Sequence, residues 1–493
     1  MKNALVLCPA WSIEMPHLAM AMLSSVLRRD GHQVFNFDLN NHFFHHCQDK
    51  YKRYWSKEYD LSWTVPDFIS EFISQNEKLI DAAIDEILAT KAKIIGFSVY
   101  FPTELMSLAL ARRLKEKDKS RIIIFGGTQC LRHYKGMVFI EESCIDIVAT
   151  GEGDLTLSDI VKIAEETGNV DFCKGTLIKR NGKIIDCGDR EPIMDLDALP
   201  FPDFSGFKLS DFYYSNALPV LFSRGCIQRC VFCTVTNFWQ VYRSLSGRRM
   251  FEQVKYYLSN FKEPIDFHFY DPLINGNIKA LECFCGMIIS AVKSNDVKPI
   301  RWRAEAIIRP EMSYELLAKM KQAGCYQLAY GIESGSQKVL DAMKKRYRIC
   351  DAEEVLKNTH EAGIQVSANF MFGFPTETRL DFQATLDFLS RNRKHIDEIY
   401  PSESFCCIDR RSYLYSHPGE FNLLPDPHID FWETLDGSNN YPERMRRFEE
   451  FCDLAVSLNL NVGSGYRKVK LNKEECLKRY YAYKNMNNSP SYS

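Results

Sequence analysis

Three cysteines lie within eight residues near the middle of this chain, and they constrain its fold more than any other feature. Cys226, Cys230 and Cys233 are spaced CxxxCxxC. They follow an apolar segment, residues 218–223, and a loop-starting glycine, Gly225. This pattern predicts a β-strand followed by a loop that bends so that the sulfur atoms converge.

Three converging thiolates favour a [4Fe–4S] cluster over a zinc ion. Each thiolate binds one iron, and the fourth iron keeps an open position, which chemistry at a cluster requires. A structural zinc ion needs a fourth cysteine or histidine, and no such residue follows Cys233 before His268. We therefore expect Cys226, Cys230 and Cys233 to be metal ligands.

The other cysteines predict no second metal site. The chain has 17 cysteines, and most free cysteines in proteins are buried as small apolar residues. None of the later ones has CxxC spacing, which argues against an auxiliary cluster. These later cysteines are at positions 283, 285, 325, 350, 406, 407, 452 and 476.

Charge and hydropathy limit the partners and the compartment. Lys and Arg number 62 and Asp and Glu 64, so the net charge of -2 argues against bulk binding to nucleic acid. A small-molecule or peptide substrate fits this balance. The start MKNALVLCPAW is typical of a first strand rather than a signal peptide. No apolar run reaches the roughly 18 residues of a transmembrane segment, so we expect a cytoplasmic protein with reduced thiols.

Strand and helix patterns alternate over residues 1–165 and predict a doubly wound, Rossmann-like α/β domain. We expect strands over 3–8, 33–38, 93–98, 121–125 and 145–149, and helices over 18–29, 76–90, 103–117 and 154–166. Ligands of such sheets bind at the carboxyl ends of the strands. The candidate binding residues at these ends are Ser98, Gly126, Gly127, Gly151 and Glu152.

Residues 166–214 interrupt the pattern and are interpreted as a linker with a hairpin. The hairpin turns at Asn181-Gly182, a dipeptide typical of tight turns between strands. Pro200 and Pro202 follow in a stretch without periodicity. The linker therefore separates two folded regions.

Alternation resumes over residues 215–415 and predicts a partial (β/α)6 barrel. The expected strands are 218–223, 265–270, 300–304, 326–332, 364–372 and 396–400, with helices over 314–322, 351–362 and 379–390. Functional groups of barrels collect where strands end. Residues 416–493 are expected to form a small, mostly helical region, with a helix over 442–458 and a polar, disordered tail.

The motif CxxxCxxC with Phe232 before the last cysteine, together with the ordered strands, resembles the radical S-adenosylmethionine superfamily. The resemblance implies that the open iron of the cluster binds the amino and carboxylate groups of S-adenosylmethionine. It also implies cofactor-binding residues at the strand ends, although the superfamily's usual GGE segment is absent. Glu333 is implied near the substrate or the methionyl and ribose groups, and it is our candidate catalytic residue.

Further cofactor-binding candidates come from the same strand ends. Asp271 occupies the position where the superfamily holds the methionyl amine. Glu305 ends the third strand, and Gly373 and Pro375 belong to a segment that in the superfamily lines the adenine side. Ordinary surface or capping roles are the alternative for Glu305 and Glu333.

Residues 1–165 resemble the cobalamin-binding domain that precedes the barrel in many radical S-adenosylmethionine enzymes. This resemblance implies cobalamin as a cofactor. The DxHxxG motif that supplies a histidine to cobalt in better-known domains is absent, so a domain that no longer binds cobalamin is the alternative. The resemblance rests on Cys8-Pro9, Gly31-His32, Asp38, Ser98, Gly126-Gly127 and Gly151-Glu152.

The combined resemblance implies an enzyme that reductively cleaves S-adenosylmethionine to methionine and a 5′-deoxyadenosyl radical. The radical takes hydrogen from an unactivated carbon, which is then methylated through methylcobalamin, and an external flavodoxin or ferredoxin supplies electrons. One alternative is a radical oxidoreductase, cyclase or rearrangement enzyme without methyl transfer, and another is a non-catalytic iron–sulfur redox sensor. A methylthiotransferase is disfavoured because it needs a second cysteine set.

The cluster assignment predicts that Cys230→Ala abolishes cleavage of S-adenosylmethionine, because one iron loses its protein ligand. The measurements are iron and sulfide content, the visible absorbance of the reconstituted protein, and 5′-deoxyadenosine formation. Cys283→Ala is the control and should behave as the wild type. Activity that survives in Cys230→Ala would contradict the assignment.

Overall fold

The chain divides into two folded units. A computed structural model describes residues 1–261, 266–463 and 465–488. The first unit contains Met1–Val220 and Phe238–Leu245, and the second contains Leu221–Asn237 and Ser246–Ser493. The last residues of the predicted disordered tail, 489–493, lie outside the described residues, as do residues 262–265.

The strands alternate with helices through both units, as the hydrophobic patterns predict. The strands are β1 (Lys2–Leu7), β2 (Gln33–Asp38), β3 (Ile94–Ser98), β4 (Ile122–Gly126), β5 (Ile147–Ala149), β6 (Thr176–Arg180), β7 (Lys183–Asp186), β8 (Ala217–Val220), β9 (Ser223–Arg224), β10 (Arg243–Ser244), β11 (Asp266–Phe269), β12 (Arg301–Ala306), β13 (Cys325–Glu333), β14 (Gln365–Phe370), β15 (Glu398–Pro401) and β16 (Asn461–Val462).

The helices range from single turns to a long C-terminal helix. They are α1 (Leu18–Arg29), α2 (Leu39–His46), α3 (Asp49–Lys52), α4 (Pro66–Gln75), α5 (Glu77–Ala89), α6 (Glu104–Lys117), α7 (Met137–Glu141), α8 (Gly153–Thr167), α9 (Val235–Trp239), α10 (Gly247–Asn260), α11 (Ile278–Lys293), α12 (Tyr314–Gln322), α13 (Gln337–Met343), α14 (Ile349–Glu361), α15 (Arg379–Asn392), α16 (Tyr413–Ser416), α17 (Tyr441–Ser457) and α18 (Gly465–Asn488).

The sheet of the first unit has the strand order β2-β1-β3-β4-β5-β6-β7. Strands β1 to β5 are parallel, and β1 pairs with both β2 and β3. The apolar side chains of β1 alternate between two cores: Ala4 and Val6 pack into one, and Leu5 and Leu7 into the other. A strand buried on both faces needs such a continuous apolar run. This architecture is the predicted doubly wound α/β fold.

The hairpin at Asn181-Gly182 belongs to the first unit. Strands β6 and β7 are antiparallel, and β6 pairs antiparallel with β5, so the hairpin extends the sheet. Both turn residues have positive φ, 49° at Asn181 and 74° at Gly182. The segment that was expected to be a linker therefore contributes two strands to the sheet of the first unit. Strand β6 covers the edge of β5 that would otherwise be open.

The sheet of the second unit is a row of parallel strands. Strands β11, β12, β13, β14, β15 and β16 pair with one another in that order. Helices α11, α12, α14 and α15 separate them in the chain, and β8 ends directly before Leu221, where this unit begins. The alternation of parallel strands and helices is the predicted partial barrel, and β16 is an additional strand.

The helices that were not among the predicted elements are α2, α3, α4, α7, α9, α10, α11, α13, α16 and α18. The first three lie in a region rich in aromatic residues, where Tyr51, Trp63 and Phe72 are buried together. Helices α2 and α3 have eight and four residues, too few for a clear helical period. Among the described residues, no helix is long and apolar enough to cross a bilayer.

Two helix-ending glycines in the second unit give a test of the fold. Gly324 has φ +97°, and a Cβ there would lie 2.2 Å from the Ile300 carbonyl oxygen. Gly363 has φ +78°, but its nearest neighbour, the Lys321 Cε, would lie 3.6 Å away. We expect Gly363→Ala to lower the melting temperature by about 2–4 °C through backbone strain. Gly324→Ala should lower it at least twice as much, measured by calorimetry, and equal shifts would contradict the steric argument.

Candidate functional site

The cysteine loop starts directly after β9 in the second unit. Cys226, Cys230 and Cys233 are partly exposed free thiols. The Cys233 amide donates to the Cys230 carbonyl at 3.1 Å, and the Gln228 amide donates to the Cys226 sulfur at 3.4 Å. These local contacts form a tight turn around accessible thiols, as ligation requires.

The loop is held by contacts with distant parts of the second unit. The Val231 amide donates to the Met343 carbonyl at 3.1 Å, and the Leu414 amide donates to the Val231 carbonyl at 3.1 Å. The Gln228 side chain donates to the Lys345 carbonyl at 3.0 Å. The position of the cysteines therefore depends on the residues that follow α13.

A buried cation lies beside the cysteines. The Lys345 ammonium donates to Glu333 Oε1 at 2.9 Å and to the Gly331 carbonyl at 2.7 Å. Burial raises the pKa of the Cys230 thiol to about 11, and the charge of Lys345 acts against this rise. Because metal ligation needs thiolates, Lys345 favours the ligating form. Lys345 was not among the predicted site residues, since a lysine after a helix carries no local signal.

In the parts of the chain that the structure describes, no group of three His, Cys, Asp or Glu side chains is arranged to hold a metal ion. Cys226, Cys230 and Cys233 therefore stay predicted ligands, and thiolates are the donors that a [4Fe–4S] cluster uses.

Glu333 ends β13 in an unusual backbone conformation. Its φ is +65°, which is rare for a residue other than glycine. The pairing of β13 with β14 shifts register between Gly331 and Glu333, and the Met371 amide donates to the Glu333 carbonyl at 3.0 Å. This local distortion turns the carboxylate towards Lys345. Strained residues of this kind collect at functional sites.

Glu305 lies at the carboxyl end of β12, close enough to Glu333 for their charges to interact. It keeps solvent-exposed surface although many protein atoms surround its carboxylate. Desolvation raises its pKa, a hydrogen bond with Asn369 and the charge of Arg303 oppose the rise, and Glu333 adds to it. Two carboxylates and one ammonium thus meet near the cysteines.

Asp271 has a different environment from the one predicted. It is buried, and its two oxygens accept hydrogen bonds from the Phe222 amide at 2.9 and 3.1 Å and from the Ser223 hydroxyl at 2.6 Å. Desolvation raises its pKa to about 7. Asp271 therefore positions the chain that enters the cysteine loop, and this geometry does not favour the predicted contact with a methionyl amine.

The segment after β14 turns at Gly373, where φ is +68°. The Gly373 amide donates to Glu377 Oε2 at 2.7 Å, and Pro375 is buried. Glu377 is also buried and pairs with Arg447. The predicted adenine-side segment is thus a tightly held loop at the carboxyl end of the sheet.

Three of the candidates in the first unit meet at its strand ends. Ser98 ends β3 in register with Gly126, the last residue of β4. Gly127 has φ +115°, and a Cβ there would lie 2.7 Å from the Val99 carbonyl oxygen. Only glycine fits this close approach. The chain after β4 therefore passes directly over the backbone that follows β3.

An aromatic pair lies near the same strand ends and was missed in the sequence. The Trp11 and Tyr100 rings are 4.2 Å apart, and the buried His17 ring contacts both edge-on. The Met20 amide donates to His17 Nδ1 at 3.2 Å. The neutral ring therefore carries its proton on Nε2, and neither nitrogen offers a free lone pair to a metal.

Glu152 is not free to bind a ligand. Its carboxylate pairs with Arg243 within the first unit, and both side chains are buried. Arg243 also donates to the carbonyls of Ile193 and Trp239, each at 3.0 Å. The predicted contact of Glu152 with a cofactor is not supported by this arrangement, because its charge is already neutralised. The neighbouring Gly151 has open space where a Cβ would lie.

Gln129, two residues after Gly127, carries an unsatisfied acceptor. Its side chain is buried, and its Oε1 atom has no hydrogen-bond partner among the residues that the structure describes. A buried amide without a partner costs about 1–3 kcal/mol. A ligand that brings N–H donors to these strand ends would satisfy it, and corrin side-chain amides are such donors.

Comparisons with known proteins agree with this geometry. The sequence model of the radical SAM superfamily matches residues 220–389. An uncharacterized methyltransferase of Pyrococcus horikoshii is 27% identical over 350 residues, which cover 70% of this chain and 73% of that protein.

Two solved structures share the fold. The cobalamin-dependent S-adenosylmethionine radical enzyme OxsB aligns with a TM-score of 0.68 and 17% identity, over 92% of this chain and 66% of that one. The radical S-adenosylmethionine methyltransferase TsrM of Kitasatospora setae aligns with a TM-score of 0.63 and 16% identity, over 81% and 72%. These likenesses confirm the predicted fold class.

The environment of His17 predicts a pH dependence of stability in the first unit. Burial lowers the pKa of His17 to about 3, against an ordinary value near 6.5. As the pH falls from about 7 to about 5, the unfolded chain takes up a proton that the folded chain does not. Stability is therefore lost towards acid, by up to about 1.4 kcal/mol per pH unit.

The matched variant is His17→Asn, which keeps a capping oxygen for the Met20 amide but does not titrate. Urea unfolding at several pH values should show a smaller acid loss in this variant than in the wild type. Parallel pH curves would contradict a buried neutral His17.

Proposed function

We propose that this chain, a radical SAM superfamily enzyme by its domain at residues 220–389, methylates an unactivated carbon with the help of a bound corrinoid. The observation that carries the proposal is the meeting of the cysteine loop, the Lys345–Glu333 pair and Glu305 in the second unit. The superfamily and the enzyme class expected from the cysteine spacing rest on the family match at residues 220–389, and that match also implies a [4Fe–4S] cluster and S-adenosylmethionine as cofactors.

The residues of the second unit have separate tasks in this proposal. Cys226, Cys230 and Cys233 hold the cluster, which when bound with S-adenosylmethionine supplies a 5′-deoxyadenosyl radical. Lys345 balances the negative charge of thiolates and of Glu333 in a buried place, where an unpaired carboxylate is costly. Glu333 is thereby oriented by its contact with the Lys345 ammonium. An ionised carboxylate at a strand end is suited to hold the amine or the ribose hydroxyls of the cofactor.

Glu305 is proposed to complete the cofactor site. The raised pKa of Glu305 means that this carboxyl group is protonated more easily than that of an ordinary glutamate. A cation bound beside it would shift Glu305 towards its ionised form. An ammonium group such as the methionyl amine would stabilise its anionic form. Gly373 and Pro375 are proposed to line the adenine side, in a loop whose turn at Gly373 is packed against Arg444.

The first unit is proposed to bind the corrinoid at the ends of β3 and β4. Ser98, Gly126 and Gly127 form a narrow edge, and the unsatisfied Oε1 of Gln129 needs a donor. A corrinoid, when bound, supplies the methyl group. The tautomer of His17 argues that the cobalt receives no ligand from this histidine.

The methyl-transfer step is supported by likeness to methyltransferases. The Pyrococcus horikoshii relative is named a methyltransferase, and TsrM, which shares the fold, is also one. OxsB is named cobalamin-dependent. We extend both properties to this chain as a proposal, and neither the oxidoreductase nor the redox-sensor alternative has a comparable observation in its favour.

The partners proposed are a small-molecule or peptide substrate and an external electron donor of the flavodoxin or ferredoxin type. The near-neutral net charge of -2 supports a substrate other than nucleic acid. All 17 cysteines are free, which supports a reducing, cytoplasmic environment.

The proposal predicts two separable activities of the reconstituted, reduced protein. With S-adenosylmethionine it should form 5′-deoxyadenosine and methionine. With added cobalamin it should retain corrinoid through gel filtration, and methyl-deuterated S-adenosylmethionine should label the corrinoid methyl group. Absence of 5′-deoxyadenosine would contradict the radical reaction, and cleavage without any corrinoid retention would contradict the methyl transfer.

A pair of variants locates the cofactor site. Glu333→Gln should weaken S-adenosylmethionine binding about tenfold or more, since a charge-assisted hydrogen bond is lost. Asp341→Asn, an exposed carboxylate on α13 that bonds to Gln337, is the control and should bind as the wild type. Equal affinities for both variants would contradict a role for Glu333 in binding.

A further inference from the structure

The polar groups of the loop after β14 are engaged by one distant segment of the chain. This segment runs from Asn439 to Arg447 and includes the first half of α17. Asn439 is buried, and its side-chain amide donates to the carbonyls of Gly373 and Phe374, both at 3.0 Å. One amide group therefore fixes two consecutive carbonyls at the turn.

A second contact fixes the amide side of the same turn. Glu377 Oε2 accepts from the Gly373 amide at 2.7 Å and from Arg447 Nη1 at 2.7 Å. Arg447 also donates to the Glu377 carbonyl at 3.1 Å and to Glu443 at 2.9 Å. Both Arg447 and Glu377 are buried, so their pairing is little screened by solvent. The Gly373 C=O is thus held directly by Asn439, and its N–H is held by Glu377, which Arg447 anchors.

Steric contact adds a third restraint. Gly373 has φ +68°, and a Cβ there would lie 2.2 Å from Arg444 Cγ. The Arg444 guanidinium lies 3.7 Å from the Trp432 ring centre and donates to the carbonyls of Asp430 and Trp432 at 2.7 and 3.0 Å. Arg444 is therefore immobile, and the loop backbone passes directly over its side chain.

Aromatic packing joins α17 to the end of β14. The ring of Phe451 lies 4.7 Å from Phe370 and 4.9 Å from Phe372, and Phe448 lies 5.6 Å from Phe372. These residues are fully buried. Helix α17 is thereby packed against the strand that precedes the loop. The residues of the segment that contact the loop are therefore held in place relative to β14.

We propose that Asn439, Arg444 and Arg447 are positioning residues for the Gly373–Pro375 loop and so set its affinity for the adenosine half of S-adenosylmethionine. This inference rests on the proposed binding role of that loop. It assigns a task to the region after residue 416, for which the sequence offered no interpretation. The three residues act through the loop and need not touch the cofactor.

The test compares binding of S-adenosylmethionine with binding of its two halves. The full chain with reconstituted cluster is titrated calorimetrically with S-adenosylmethionine and with 5′-deoxyadenosine. Methionine is added separately, and the change in the electron paramagnetic resonance signal of the reduced cluster is recorded. Asn439→Leu keeps the branched shape and the number of side-chain heavy atoms but removes both donated hydrogen bonds.

Asn439→Leu should raise the Kd for S-adenosylmethionine and for 5′-deoxyadenosine about tenfold, the size expected for a lost buried hydrogen bond. The spectral response to methionine and the iron content should stay as in the wild type. Arg446→Ala is the matched control, because Arg446 lies on the same helix and pairs with Glu443 and Glu450 without contacting the loop. It should bind both adenosine ligands as the wild type.

Other outcomes distinguish a failure of the positioning role from a failure of the proposed function. A folded Asn439→Leu protein that binds both adenosine ligands within twofold of the wild type overturns the positioning role. Failure of the wild type to bind S-adenosylmethionine overturns the proposed function instead. Should Asn439→Leu not fold, Arg447→Lys keeps the charge opposite Glu377 but loses the two-point contact, and an unchanged Kd in that variant likewise overturns the inference.

Discussion

The buried Lys345–Glu333 pair is the interaction on which the second unit's site depends. The two side chains meet at 2.9 Å next to the cysteine loop, and the charge of Lys345 acts on Cys226, Cys230 and Cys233. Removing one member of a buried pair typically costs about 3–5 kcal/mol, because the other charge stays uncompensated. The same lysine presents its backbone carbonyl to Gln228 within the loop. Charge balance and loop position are therefore controlled by one residue.

Both units place their candidate sites at the carboxyl ends of parallel strands. In such sheets the loops at this edge are free to vary, while the strands supply a rigid base. The first unit uses small residues, Gly126 and Gly127, where a large ligand would approach. The second unit uses charged side chains, Glu305 and Glu333, together with thiols. The two edges are thus suited to different chemistry, although their architecture is alike.

Much of the fold was predictable because the signals are local. Strand β13 was expected over 326–332 and spans Cys325–Glu333, and helix α12 was expected over 314–322 and spans Tyr314–Gln322. Both elements end within one residue of the predicted points. Helices α2 and α3 were missed because eight and four residues give little periodic signal. Helix α4 does have a helical period, with Ile69 and Phe72 on its buried face, so its sequence carried a signal.

The candidate site was predictable only in part. Strand-end position alone does not tell whether a carboxylate faces a cavity or the protein interior. Glu305 keeps solvent-exposed surface, whereas Asp271 bonds to the chain at Phe222 and Ser223, and Glu152 is neutralised by Arg243. Lys345, His17 and Asn439 carry no motif, because their roles come from partners far away in the sequence.

The sequence by itself determined which residues are candidate cluster ligands, because the spacing of three cysteines is a property of the chain alone. Closely spaced cysteines can be ligands in any loop that brings their sulfurs together. It also determined the alternation of strands and helices, because hydrophobic period acts over a few residues. Only the tertiary structure decided which polar residues are available to ligands and which are used internally. Availability depends on burial and on hydrogen-bond partners, and both are set by contacts between residues that are distant in the chain.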